Sequence, residues 1–61
     1  MTTYIHILHK KLFYELAVTY LDKGYRVDFI NVYEEGHSRP KEIPFNSVPE
    51  AVILRLMEKL Q

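Results

Sequence analysis

Apolar residues recur at helical spacing in two segments of the chain, residues 10–23 and residues 48–61. At about 100° per residue, the apolar side chains of each segment cover well over half of the helix circumference. A helix on a protein surface usually needs an apolar stripe only about 100° wide. The pattern therefore predicts two helices, and their surplus apolar surface predicts contact with a partner.

Three other segments are rich in β-branched and aromatic residues and are predicted to be strands. They are residues 2–8, residues 25–34 and residues 41–45. Because Pro40 and Pro44 cannot donate ladder hydrogen bonds, the third strand is expected at an edge of the sheet.

The strand predicted at residues 25–34 has two alternating faces. The more apolar face is expected to point to the core, and it carries Tyr25, Val27, Phe29, Asn31 and Tyr33. The other face is polar at its ends and apolar at its centre, where Ile30 and Val32 lie. A merely solvated face would not need two β-branched residues at its centre, so we expect this face to contact a partner.

Local signals set the ends of the two predicted helices. Gly24 is expected to stop the first helix, because glycine readily adopts the left-handed conformation after a helix end. Ser47 with Glu50 three residues later predicts a capping box at the start of the second, and Pro49 in the first turn supports it. No Ser, Thr, Asp or Asn is placed to cap a helix that begins at Lys10.

The predicted order is β-α-β-β-α, a small α+β domain. We expect a three-stranded mixed sheet, with the first helix as a right-handed crossover between parallel strands. Both helices would cover one face of the sheet and leave the other open. The alternative is α-β-β-α with one long N-terminal helix, which is disfavoured because His6 and His9 would fall within its apolar arc. The order is shared by too many folds to indicate a family.

The 61 residues are expected to form one small domain, residues 1–61. A core of this size rarely supplies more than about 3–5 kcal/mol without disulfides, a metal or oligomerisation. The chain has no cysteine, which leaves oligomerisation, and a homodimer is expected. Eight Lys and Arg balance eight Asp and Glu, so the net charge of zero gives no reason to expect a polyanion as partner.

The cytoplasm is the expected compartment. The longest uncharged apolar run, residues 16–21, is far shorter than the roughly 20 residues that cross a bilayer, and no signal peptide is recognisable. The polar stripes of the predicted helices mix both charge signs, which argues against a membrane-surface role.

Three histidines, a pair near the N-terminus and one in the predicted hairpin, are the candidates for metal or acid–base chemistry. His6 and His9 would share a face only on a helix, and no third ligand accompanies them, so no metal site is expected. The predicted hairpin combines the groups that general acid–base cleavage of RNA requires, in Glu34, Glu35, His37, Arg39 and Lys41. Nothing there indicates a pocket or a tuned base, so a solvated tip is preferred and a small ribonuclease-type toxin is the weaker alternative. No enzymatic activity and no cofactor are expected.

The preferred function is that of a non-enzymatic regulatory protein. It would homodimerise and bind another protein to modulate its activity, as phage- or mobile-element-type inhibitors and adaptors do. The alternative is a nucleic-acid-binding regulator that uses the basic side of the hairpin, which the zero net charge disfavours. The interface residues expected on the open sheet face and the outer helix flanks are Ile30, Val32, Arg26, Asp28, Glu34, Tyr14, Val18 and Leu54. The phosphate contacts of the alternative would be Arg26, His37, Arg39 and Lys41.

Overall fold

The computed structural model describes residues 1–36 and 39–61, in which four strands precede one α-helix. The strands lie side by side in the order in which they occur along the chain, and every neighbouring pair is antiparallel. The helix follows a short 3₁₀ turn and packs against one face of the sheet. The elements are β1 (Thr2–His9), β2 (Leu12–Leu21), β3 (Gly24–Glu34), β4 (Lys41–Ile43), the 3₁₀ turn (Phe45–Ser47) and α1 (Glu50–Leu60).

The predicted architecture of two helices on a three-stranded mixed sheet is wrong, and so is the alternative with a long N-terminal helix. The segment at residues 10–23 is a turn followed by β2. The strands predicted at residues 2–8 and residues 25–34 are confirmed, as is the C-terminal helix. The strand predicted at residues 41–45 is confirmed as an edge strand but is shorter.

The β2 strand lies inside the sheet, between β1 and β3, and carries apolar residues on both of its faces. Tyr14, Leu16 and Val18 point towards α1, whereas Phe13 and Ala17 point to the opposite face. Side chains that alternate in this way also spread widely on a helical wheel. The broad apolar arc therefore reflects a strand with two apolar faces rather than a helix with surplus surface.

The connection from β1 to β2 is a two-residue hairpin made by Lys10 and Lys11. Their φ angles are 49° and 66°, so both lie in the left-handed region. Hairpin turns of this type normally use Asn-Gly or Asp-Gly, which adopt positive φ at little steric cost. Two lysines give no such signal, and the hairpin was therefore not predicted.

The core lies between the sheet and the C-terminal segment. It contains Ile5, Ile7, Tyr14, Leu16, Val18, Ile30, Val48, Val52 and Leu56.

The predicted face assignment of β3 is wrong, since Ile30 is only 2% exposed and Val32 packs against the same core. Phe29 and Tyr33 consequently lie on the opposite face of the sheet. A bulge at Ala17/Val18 shifts the register and places Val27 on the core side.

The start of α1 differs from the predicted capping box. Ser47 ends the 3₁₀ turn, and the N-cap is Pro49, which makes no side-chain capping bond. Glu50 is the first helical residue rather than the third, so it cannot form the reciprocal bond to Ser47. The carbonyl of Pro49 instead accepts hydrogen bonds from the backbone N–H groups of Val52 at 3.0 Å and Ile53 at 3.2 Å.

Candidate functional site

The face of the sheet opposite α1 carries no helix in the part of the chain that the structure describes, and we call it the uncovered face. Strand register arranges its side chains in rows across the sheet. One row contains Tyr4, Ala17 and Phe29. The rings of Tyr4 and Phe29 lie on either side of the small Ala17, with centroids 6.3 Å apart and a tilt of 59°. Tyr4 nevertheless remains 53% exposed.

A second apolar row lies towards the β1–β2 hairpin and contains Leu8, Phe13 and Tyr33. The rings of Phe13 and Tyr33 are stacked, with centroids 5.4 Å apart and 21° between their planes. Leu8 is one of the exposed large apolar residues. This row and the row of Tyr4 give the uncovered face aromatic surface on both sides of its centre.

The row between them is polar and runs across all four described strands, through His6, Glu15, Asn31 and Glu42. His6 Nε2 lies 3.0 Å from Glu15 Oε2, a hydrogen bond that becomes an ion pair when the imidazole is protonated. Two carboxylates in this row make the centre of the face acidic and polar. The uncovered face therefore has a polar centre between two aromatic rows.

A hydrogen-bonded cluster lies at the end of the face near the β2–β3 turn. The hydroxyl groups of Thr2 and Thr19 are 3.1 Å apart, and Thr19 also donates to Asp28. Arg26 Nε donates to Asp28 Oδ1 at 2.6 Å. The hydroxyl of Thr19 and then the guanidinium of Arg26 hold the pKa of the Asp28 carboxyl below its ordinary value of 3.8.

The structure does not bring the predicted interface residues together on one surface. Tyr14, Val18 and Ile30 are buried in the core, and Val32 packs against it. The remaining residues lie apart from one another: Arg26 and Asp28 near the β2–β3 turn, Glu34 at the other end of β3, and Leu54 on the outer side of α1.

The basic residues predicted to contact phosphates are also separated. Arg26 is six positions along β3 from Val32, the residue paired with Lys41. At about 3.3 Å per residue, that is roughly 20 Å. Arg39 and Lys41 line a groove of about 540 Å³ together with Leu12, Val32, Tyr33, Glu34 and Gly36. His37, the last of the predicted contacts, lies outside the described residues.

The described residues contain neither a candidate metal site nor a helix that could span a membrane. His6 and His9 are three positions apart on β1 and therefore point to opposite faces of the sheet. Within residues 1–36 and 39–61, no cluster of three His, Asp or Glu side chains could hold a metal ion. Among the same residues, no helix is long and apolar enough to span a membrane.

Sequence reasoning missed the residues that form the two aromatic rows. Phe13 was assigned to a helix, and Phe29 and Tyr33 to the core. The signal that could have found them is the two-residue alternation along β2 and β3. It places Phe13 and Ala17 on one face, and Phe29 and Tyr33 on the matching face of the next strand.

Comparisons with protein-family models, curated proteins and solved structures give no significant match.

Proposed function

We propose that this chain is a small non-enzymatic interaction protein that binds another protein through its uncovered face. The observation that carries the proposal is the pair of aromatic rows left on a sheet face without a covering helix. The aromatic side chains of both rows are exposed or half-buried, and exposed apolar surface of this kind is a feature of interaction sites on soluble proteins. Tyrosine and phenylalanine are also enriched at protein interfaces, where they bury a large apolar area.

The dimensions of the face give the size of the interface that one copy can offer. Adjacent strands lie about 4.8 Å apart and each residue advances about 3.3 Å, so β1 to β3 present a projected area of roughly 400 Å². A standard protein interface buries about 800 Å² on each partner. One copy of the face therefore supplies about half of the surface used by a stable complex.

The charge of the face favours a protein over a nucleic acid. Glu15 and Glu42 lie in the central row, where a nucleic-acid backbone would bring its phosphates close to their carboxylates. A protein surface can instead supply hydrogen-bond donors to these groups. The second candidate is single-stranded nucleic acid, because the stacked rings of Phe13 and Tyr33 resemble the base-stacking platforms of RNA-binding sheets.

The proposal is tested by replacing Phe13 and Tyr33 together with threonine, which keeps a strand-forming residue at both positions. The matched control replaces Tyr20 and Tyr25 with threonine. These tyrosines form a cross-strand pair on the same two strands, are exposed, and lie at the opposite end. Circular dichroism first establishes that both variants keep the native fold.

Immobilised wild-type, double-variant and control chains are then exposed to nuclease-treated lysate of the native host. We expect at least one protein to be retained by wild type and control and lost by F13T/Y33T. Once purified, that protein should bind the double variant at least tenfold more weakly than the wild type.

Identical retention by all three chains would contradict the proposal. A purified protein that binds wild type and double variant equally would do the same. Binding of single-stranded nucleic acid, the second candidate, is tested by fluorescence anisotropy with mixed oligonucleotides at two salt concentrations. Binding that is lost in F13T/Y33T and falls steeply with salt would assign the face to nucleic acid instead.

A further inference from the structure

The two edges of the sheet differ in how they are protected. The β4 edge is three residues long, from Lys41 to Ile43, and lies between Pro40 and Pro44. The β1 edge is eight residues long, Thr2–His9, and contains no proline and no Lys, Arg, Asp or Glu. Natural sheets normally blunt a free edge with proline, charged side chains or shortness. By this criterion β4 is blocked and β1 is open to pairing.

The hairpin register identifies which backbone groups of β1 point outward. His9 and Leu12 close the two-residue turn and form a hydrogen-bonded pair, and such pairs alternate along an antiparallel ladder. The N–H and C=O groups of Thr2, Tyr4, His6 and Leu8 therefore point away from β2. The bond from Tyr20 N–H to the carbonyl of Met1 follows the same alternation, because it turns Met1 inward.

One end of this edge is already occupied. Arg55 Nη1 on α1 donates to the carbonyl oxygen of Leu8 at 2.5 Å. Within the described residues, no hydrogen bond is made to the outward backbone groups of Thr2, Tyr4 or His6. The available edge is thus a run of three outward-facing residues centred on Tyr4.

We propose that β1 pairs antiparallel with β1 of a second copy of this chain, with Tyr4 directly opposite Tyr4 of the second copy. In this register Thr2 of each chain lies opposite His6 of the other. The three pairs form about six backbone hydrogen bonds, two for each pair. Arg55 keeps its bond to Leu8, because that residue lies beyond the last pair.

A second copy fits this edge better than an unrelated strand for two reasons. The outward backbone groups are arranged symmetrically about Tyr4. A two-fold axis midway between the two Tyr4 residues therefore pairs every outward group of one copy with a group of the other. Like charges do not meet across the axis, since the strand carries no Lys, Arg, Asp or Glu. A cysteine-free chain of 61 residues is also of the size that oligomerisation commonly stabilises.

The pairing joins the two uncovered faces into one surface. A two-fold axis perpendicular to the sheet keeps both α1 helices on one side and both aromatic surfaces on the other. The sheet becomes eight-stranded, and the projected area of the joined face rises to roughly 800 Å², twice that estimated from the strand dimensions of one copy. The edge pairing requires nothing bound to the uncovered face, so it can be tested without the partner of that face.

Light scattering after size exclusion at about 50 µM should give twice the 7.3 kDa mass of one chain. Replacing Tyr4 with lysine places two ammonium groups opposite each other and should raise the dimer dissociation constant at least tenfold. Replacing Tyr4 with glutamate should do the same. An equimolar mixture of Y4K and Y4E should restore the dimer, because opposite charges then meet at the axis.

The matched control replaces Tyr20, another exposed strand tyrosine, with lysine or glutamate, and both variants should stay dimeric. Restoration in the mixture also establishes that each Tyr4 variant is folded. A monomeric wild type at this concentration would overturn the edge pairing. Y4K and Y4E proteins that remain dimeric separately, or fail to recombine, would overturn the register. None of these outcomes depends on whether the uncovered face binds a protein.

Discussion

Leu54 and Leu56 lie two positions apart on α1, and only one of them faces the sheet. Leu56 is 1% exposed and belongs to the core, whereas Leu54 is 55% exposed on the outer side. Truncating a fully buried leucine to alanine removes about 2–5 kcal/mol from the free energy of unfolding. We take about 3 kcal/mol for Leu56, because a core this small has room to relax around the cavity.

This loss is large in relation to the stability of the whole domain. At roughly 0.05–0.15 kcal/mol per residue, a chain of 61 residues unfolds with a free energy of about 3–9 kcal/mol. Leu56→Ala therefore removes a third or more of the total. Leu54→Ala should change the free energy of unfolding by less than about 1 kcal/mol, because its side chain buries little area and alanine favours helix.

Urea unfolding followed by circular dichroism separates the two cases. With a slope of about 1 kcal/mol/M for a domain of this size, the midpoint should fall by about 3 M for Leu56→Ala. For Leu54→Ala it should fall by less than about 1 M. All three chains are compared at one protein concentration, which keeps any contribution from association the same. Equal shifts, or a larger shift for Leu54→Ala, would show that α1 does not bury the side assigned here.

The two turns and the Asp28 cluster give further predictions. Replacing Lys10 with Asn and Lys11 with Gly should raise the free energy of unfolding by about 1–2 kcal/mol in urea titrations, because both lysines adopt positive φ. Lys23→Gly in the other hairpin turn should instead lower it, and a gain there would contradict the strain argument. For Asp28, the folded-state pKa lies below the unfolded one, so the ionised carboxylate stabilises the fold above about pH 3.8 and loses this effect as the pH falls further. In thermal unfolding, Asp28→Asn should therefore be less stable than wild type at pH 7, and the difference should shrink towards pH 2. Asp22→Asn is the control. A difference between Asp28→Asn and wild type that does not change with pH would refute this prediction.

The largest error in reading the sequence concerns β2, and its cause is physical. A strand that is apolar on both faces has no clear two-residue alternation of polar and apolar side chains. Its residues therefore fit a helical wheel nearly as well as a strand. The missing cap at Lys10 was evidence against a helix, since a helix start leaves backbone N–H groups that need acceptors. The turn that replaces it uses lysines at positive φ, which propensity rules do not predict.

The error in β2 also led to the wrong assignment of the two faces of β3. With a helix at residues 10–23, the strand at residues 25–34 lacked its true neighbour, and its more aromatic face was placed in the core. In the structure the aromatic face of β3 lies outside the core, because Phe29 contacts Tyr4 and Tyr33 contacts Phe13 on the uncovered face. Three of the residues predicted for an interface, Tyr14, Val18 and Ile30, are instead buried in the core.

Elements with strong local signals were predicted well. In the C-terminal helix, apolar residues recur at helical spacing along its whole length. The short strand before it is bounded by a proline on each side. Both signals are local in the sequence and do not depend on distant contacts. The register shift at Ala17/Val18 and the bond from Arg55 to Leu8 depend on tertiary contacts. No spacing rule along a single sequence specifies them.

The unequal edges of the sheet would limit the size of any assembly formed by edge pairing of this chain. If β1 could add to β4 of another copy, each addition would expose a new β1, and the chains would polymerise head to tail into an open fibre. The prolines around β4 remove the acceptor edge for such growth. In the dimer that we propose, pairing of β1 with β1 would use the open edge of both chains in a single step. The prolines at residues 40 and 44, far in sequence from β1, would then keep that association finite.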